Sequence, residues 1–148
     1  MADGYTVPMT RNEIVEMFES RRIAYDRHDA TALAYDYADD CVVESPSGGR
    51  HHGRDAARKV IQAVFDALDA NLHQESLIID GDSVAQVVTI AGKDIGAFLG
   101  MSPTGKAFAV PGVFLFELRD GKIVRERRIY DFTSLLIQTG LMKAKPAN

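Results

Sequence analysis

The residues best suited to proton chemistry lie between Gly92 and Gly140: Asp94 in GKDIGAF, and Arg127, Tyr130 and Asp131 in the run IVRERRIYD. A carboxyl at the end of a strand that faces an apolar pocket loses solvation, which favours its neutral form and raises its pKa. That is the condition for a carboxyl acting as general acid/base near neutral pH. Asp131 and Asp94 are the two candidates, and Arg127 is the cation that could hold one of them ionised. A second reading of Asp131 stays open, in which its carboxylate caps the helical turn TSLL that follows.

Two further polar residues stand on an otherwise apolar helical stripe, Ile14-Phe18-Arg21-Tyr25. Arg21 and Tyr25 either line a pocket or occupy the rim and the core, the arginine stem lying along apolar surface with its head in water. The adjacent His51 and His52 suggest a metal only if further ligands converge on them. No such spacing is visible nearby, so they read as loop residues and no metal is expected.

The elements that must position these side chains fall into two halves. Pro8 keeps Val7 out of helix and leaves residues 1–9 as an extended arm. Thr10 and Glu13 form a capping box, which predicts a helix to about Arg27. Asp29 caps a second helix over about 30–38, and CVVES at 41–45 is a short strand stopped by Pro46. A third helix covers about 55–70, with Ala56, Val60, Val64 and Leu68 on its buried side and Ile61 and Phe65 beside them. From Leu72 the period becomes that of strands. Strands are predicted over 73–79 and 84–91 around the hairpin turn Asp80-Gly81-Asp82, then over 93–100 and 106–118. Pro111 suggests a bulge or bend in the last of these, since it cannot donate to the ladder. Arg119-Asp120-Gly121-Lys122 turns into a final strand over 122–131, and SLLIQTGLM is a short helical piece ended by Gly140. Helices followed by a run of antiparallel strands imply an α+β plan, with the helices on one face of a curved sheet.

Alternation sorts the sheet residues into faces. On the final strand Ile123, Arg125, Arg127, Ile129 and Asp131 point one way, and Val124, Glu126, Arg128 and Tyr130 the other. On the strand before it, Gly112, Phe114 and Phe116 oppose Val113, Leu115 and Glu117. Both faces are partly apolar, as when the concave side lines a pocket and the other side meets a partner subunit.

The 148 residues fit one domain over 1–148. They include 26% charged and 46% hydrophobic residues, a globular composition. A net charge of -4 argues against nucleic acid, and alternation splits the RERR cluster at 125–128 between two faces. The single cysteine, Cys41, excludes an internal disulfide and reads as a small buried hydrophobe. No run reaches the roughly 18 apolar residues of a membrane span, and MADGYTVPMT has neither an apolar core nor a basic leader. A cytoplasmic protein is expected.

Four stretches, HDATALAYDYADDCVVESP at 28–46, GRDAARKVIQAVFDAL at 53–68, IAGKDIGAFLGMSPTGKAF at 90–108 and FELRDGKIVRERRIYDFTSLLIQTGLM at 116–142, together resemble the SnoaL-like polyketide cyclases of the nuclear-transport-factor-two-like superfamily. The resemblance implies a cone of three helices over a strongly bent sheet, one hydrophobic pocket, and a dimer formed through the sheet. It implies neither metal nor organic cofactor. It also implies that Asp131 is the general acid/base of an intramolecular aldol closure. A histidine often stands where this chain has Asp94, and a tryptophan commonly where it has Arg127. The ketosteroid isomerases of the same superfamily would need a tyrosine, a carboxylate and an acid near positions that here hold Arg21, Ser45 and Phe114, which disfavours that chemistry. An epoxide-hydrolase likeness rests on Lys93-Asp94 with Asp131, two carboxyls that could flank a water.

Three functional readings follow. The first is a cofactor-independent cyclase, isomerase or hydrolase acting on an apolar small molecule, with Asp131, Asp94 and Arg127 as its catalytic group and Arg21, Tyr25, Ser45, Phe114 and Tyr130 binding substrate. The second is a hydrophobic-ligand-binding or accessory protein that keeps the cone without the chemistry. The third is a structural dimer module with a filled core, favoured by a pocket below about 300 Å³.

Overall fold

A computed structural model describes residues 7–144. Most of the expected arm and the end of the expected tail, residues 1–6 and 145–148, lie outside the described residues.

Helix α1 (Arg11–Asp26) starts at the expected capping box: the Glu13 amide donates to the Thr10 hydroxyl, and the Thr10 amide donates to the Glu13 carboxylate. Asp29 caps α2 (Ala30–Tyr35), which is shorter than predicted because the chain turns at Asp36 into the long strand β1 (Tyr37–Ser45). Gly49–His52 forms β2, hairpinned on β1, where the sequence suggested a loop. Helix α3 (Arg54–Leu68) buries Ala57, Ile61, Phe65 and Leu68, so its inward stripe is rotated by one position from the expected Ala56-Val60-Val64 line.

The strands β3 (Asn71–Asp80), β4 (Ser83–Lys93), β5 (Ala107–Arg119) and β6 (Lys122–Tyr130) follow, then α4 (Phe132–Gln138). The sheet runs β2-β1-β6-β5-β4-β3 and is antiparallel except where β1 meets β6. The strand expected over 93–100 does not form. Beyond Lys93 the chain leaves the sheet as a loop containing one short helical turn at Phe98–Gly100, so Asp94 sits in a loop.

Pro111 causes no bulge: β4 and β5 stay in register through Thr89↔Pro111. Its carbonyl accepts from the Asp131 amide on the β6 side. An extended residue points its nitrogen and carbonyl the same way, so the missing donor faces the point where β6 ends. The register shift between β5 and β6 falls instead at Glu117/Leu118. It leaves Val124 unpaired and brings Ile123 onto the same side as Glu126 and Arg128.

The helices cover the concave face. The core joins Ile14 and Phe18 of α1, Ile61 and Phe65 of α3, and the inward rows Val84-Val88-Ile90 and Phe108-Val110-Phe114-Phe116. Cys41 is fully buried among them. Among the described residues no helix is long and apolar enough to cross a membrane.

Candidate functional site

The inner face of β6 carries Glu126 and Arg128, both buried, and leaves Arg125, Arg127 and Ile129 exposed on the outer face. Arg128 reaches into the space under the helices, where its guanidinium lies 5.5 Å from the centre of the Phe114 ring. One terminal nitrogen donates to Glu126 at 3.2 Å, while Nε is buried without a partner. The same Glu126 oxygen accepts from the Tyr37 hydroxyl at 2.7 Å. That hydroxyl accepts from Arg21 at 3.0 Å, and Arg21 also donates to the Leu33 carbonyl and pairs with Asp36 at 3.2 Å. A chain of polar groups thus runs from the end of α2 through α1 and β1 to β6, and ends at the unpartnered Nε.

Its formal charges cancel: two carboxylates, Asp36 and Glu126, and two guanidiniums, Arg21 and Arg128. Burial works to raise the Glu126 pKa, but Arg128, Arg21 and the hydrogen bonds from Arg128 and Tyr37 outweigh it, and the carboxyl stays below its ordinary value. Burial likewise works against the Arg128 cation, and Glu126, with Tyr37 and Tyr25, outweighs it. Burial pushes the Tyr25 phenol up to about 12, which makes it a neutral donor at physiological pH.

Two small chambers flank this centre and share Tyr25, Phe114 and Arg128 as a common wall. One, about 20 Å³, is bounded by Arg21, Leu33, Ile61, Leu72, Gln86 and Phe116. The other, about 30 Å³, is bounded by Ser45, Ser47, Val64, Leu68, Phe98 and Tyr130. A water needs about 10–15 Å³ on this measure, so each chamber as it stands has room for a water or two, in the range below about 300 Å³ that favours a filled core. Outside the second chamber, α3, the β1–β2 turn and the 96–99 loop enclose a groove of about 490 Å³. Ser45, Ser47, Val64 and Phe98 face both spaces.

The expected substrate-binding residues Arg21, Tyr25, Ser45, Phe114 and Tyr130 all line one or both chambers. The Tyr130 hydroxyl shares a hydrogen bond of 2.8 Å with Ser47. The three residues expected to meet in a cavity do not. Asp131 is exposed, and its carboxylate accepts from the Ser134 amide at 3.0 Å as the N-cap of α4. Arg127 lies on the outer face opposite Leu115. Asp94 is fully buried, but it accepts from the Thr104 amide at 3.0 Å inside its own loop, its second oxygen left without a partner. The hydroxyl hydrogen of Thr104 goes to the Thr139 carbonyl at 2.7 Å, so Thr104 fastens that loop to the end of α4. The physical reason is parity: Tyr130 points inward, so its neighbours Ile129 and Asp131 point out.

Sequence reasoning passed over Arg128, Glu126 and Tyr37. The signal was present in the alternation, which set Glu126, Arg128 and Tyr130 on one face of RERRIY. Alternation alone assigns those two charges no role in the site. His51 bonds the Gly48 carbonyl within its turn, and among the described residues no cluster of metal-ligating side chains forms.

Residues 15–139 match the family model of the SnoaL-like polyketide cyclases. The chain belongs to that family. Its fold is that of TsrD from Streptomyces laurentii, at 22% identity and a TM-score of 0.80 over 90% of this chain and 99% of that one. AclR from Streptomyces galilaeus is similar at 23% identity and a TM-score of 0.79, over 93% and 87%. An LEH-like epoxide hydrolase from M. tuberculosis gives 17% identity and a TM-score of 0.68, over 88% and 91%. At such identities the likeness is one of fold. No curated protein sequence matches the chain.

Proposed function

We propose that this SnoaL-like chain is a small-molecule pocket protein in which Arg128, rather than a free carboxylate, sets the chemistry of the pocket. The observation that carries this is the buried, unpartnered Nε of Arg128 beside Phe114 and Tyr25. Buried polar groups in folded proteins almost always have partners, and an exception asks for a missing acceptor. The charges of the network already cancel, so a ligand carboxylate would add an unbalanced buried charge near Glu126. A neutral carbonyl oxygen would accept from Nε without that penalty. The reading is therefore an apolar molecule with a ketone, ester or enone oxygen on Arg128 and the phenol of Tyr25 as a second donor. Held in this way, a carbonyl is polarised toward its enolate, which is the electrophilic half of a cofactor-independent cyclisation or isomerisation.

The test is calorimetric binding of 2-octanone and octanoate to the wild type and to Glu126→Leu/Arg128→Met. The double variant removes both charges together and so leaves neither stranded. A hydrogen bond to a charged donor predicts a loss of about tenfold to a hundredfold for the ketone. The ketone should also bind the wild type more tightly than the acid. Equal ketone affinity in wild type and variant would overturn the assignment.

Family membership favours a second reading, catalysis with Asp131 as the acid/base that the resemblance implies. Asp131→Asn decides it, since an essential acid/base would cost orders of magnitude in turnover while ligand affinity stays the same. A dimer through the outer sheet face is part of the proposal, because Leu115 and Ile129 are exposed there. Sedimentation of Leu115→Lys/Ile129→Lys as a monomer is the expected result.

A further inference from the structure

The chambers around Arg128 are too small for any ligand larger than a water or two, yet the second of them lies against a groove more than ten times its volume. We propose that this groove is the second half of the ligand site, holding the apolar body of a carbonyl compound whose oxygen reaches Arg128, and that Phe98 is the gate between them. The proposal rests on the reading of Arg128 given above.

A wall shared by the two spaces is the first support. Phe98 is nearly buried and faces both, with Ser45, Ser47 and Val64 around it. Its ring meets Phe132 edge-on at 6.2 Å. The groove floor is mainly aliphatic, formed by Val60, Ala63, Val64 and Ala67 of α3, and at about 490 Å³ it lies within the range of small-molecule pockets.

The construction of the loop is the second support. Its base is fastened: the Ile95 and Gly96 amides both donate to the Ala67 carbonyl, and Thr104 ties the far end to Asp94 and Thr139. Between those anchors, the backbone hydrogen bonds of residues 97–101 run only within the loop, from Gly100 to Ala97 and from Met101 to Phe98. Ala97 and Leu99, on either side of the gate, both hold left-handed backbone that side chains other than glycine disfavour. Leu99 and Met101 expose apolar surface beside the groove. A segment pinned at both ends and strained in the middle can swing Phe98 outward without breaking a bond to the body of the protein.

The test is a series of straight-chain 2-alkanones from 2-pentanone to 2-undecanone, titrated into the wild type, Ala63→Trp, Phe98→Ala and Glu126→Leu/Arg128→Met. Ala63 is an exposed helical position on the groove wall, so tryptophan there fills the groove without entering the core. In the wild type, affinity should rise by about fourfold per methylene that enters the groove. Ala63→Trp should flatten that rise and leave the shortest ketone unaffected. Phe98→Ala should speed both association and dissociation several-fold in stopped-flow measurement. A rise with chain length that Ala63→Trp does not change overturns the groove, as does the absence of any rise. Unchanged rates in Phe98→Ala overturn the gate. Failure of the Arg128 reading looks different: the length dependence and its loss in Ala63→Trp persist, while Glu126→Leu/Arg128→Met binds every ketone as the wild type does.

Discussion

Replacing Glu126 by glutamine tests whether the buried polar chain is a structural necessity as well as a site. The substitution keeps the shape of the side chain and one acceptor oxygen, but removes the charge facing Arg128 at 3.2 Å and the strong acceptor for Tyr37 at 2.7 Å. Glu126 is 1% exposed and Arg128 8%, so solvent cannot compensate either group. Removing one partner of a buried pair costs about 3–5 kcal/mol, because the other charge is left in a low-dielectric interior. For a chain of this length that predicts a fall in Tm of about 6–20 °C. Urea unfolding monitored by circular dichroism, with calorimetry for Tm, reads the effect. The pH dependence supplies a sign. The folded-state pKa of Glu126 lies below its ordinary value, so its stabilisation is complete above about pH 4.3. It is lost as pH falls through the lower folded value. Glu126→Gln should therefore lose part of the acid-side slope that the wild type shows. A stability change under about 1 kcal/mol, with the acid slope intact, would refute the claim that Glu126 is ionised and buried.

The remaining predictions concern the loop, the cap and the sheet. Asp131→Asn should leave stability within about 0.5 kcal/mol, because asparagine caps a helix as well as aspartate, whereas Asp131→Ala should cost about 1 kcal/mol by urea unfolding. Gly96→Ala should destabilise by more than about 2 kcal/mol, because a Cβ there would lie 2.2 Å from the Asp66 carbonyl oxygen, a backbone atom that cannot step aside. Thr104→Val removes the hydroxyl that holds the loop to the Thr139 carbonyl and leaves that carbonyl short of a donor. It should cost about 1–3 kcal/mol and raise amide hydrogen exchange across residues 94–105. Pro111→Val should be nearly neutral in Tm, since the nitrogen of residue 111 faces the end of β6.

Much of the fold could be read from local chemistry. The capping box at Thr10, the cap at Asp29, and the turns at Asp80-Gly81 and Asp120-Gly121 are self-contained signals that do not depend on what packs above them. The errors came where a tertiary contact decides. Residues 93–100 are as strand-like as their neighbours, but Gly92 and Gly96 let the chain pass against the end of α3, where a Cβ would meet the Leu68 or Asp66 carbonyl oxygen. The one-position rotation of the α3 stripe likewise depends on how the helix lies on β1, which no periodicity reports. Five of the eight proposed site residues line the chambers because apolar helical stripes and inward strand rows are legible. The other three, chosen for their chemistry, lie on the outer face of β6 (Arg127), at its end as the cap of α4 (Asp131) and in the loop between β4 and β5 (Asp94).

That choice of side has a consequence for mechanism. For residue 131 to send its carboxylate into the cone as the next member of the inward row, β6 would have to slip by one position. A one-residue slip exchanges the two faces of a strand. It would carry Glu126 and Arg128 out to solvent and bring Arg125, Arg127 and Ile129 in. The Tyr37 hydroxyl would lose its acceptor, and two unpaired guanidiniums would enter the core. An inward acid at 131 in the strand row and the Glu126–Arg128 pair are therefore alternatives for one strand, and this chain has the pair. The inward polar group of β6 is thus a neutral pair whose one free donor is Arg128 Nε.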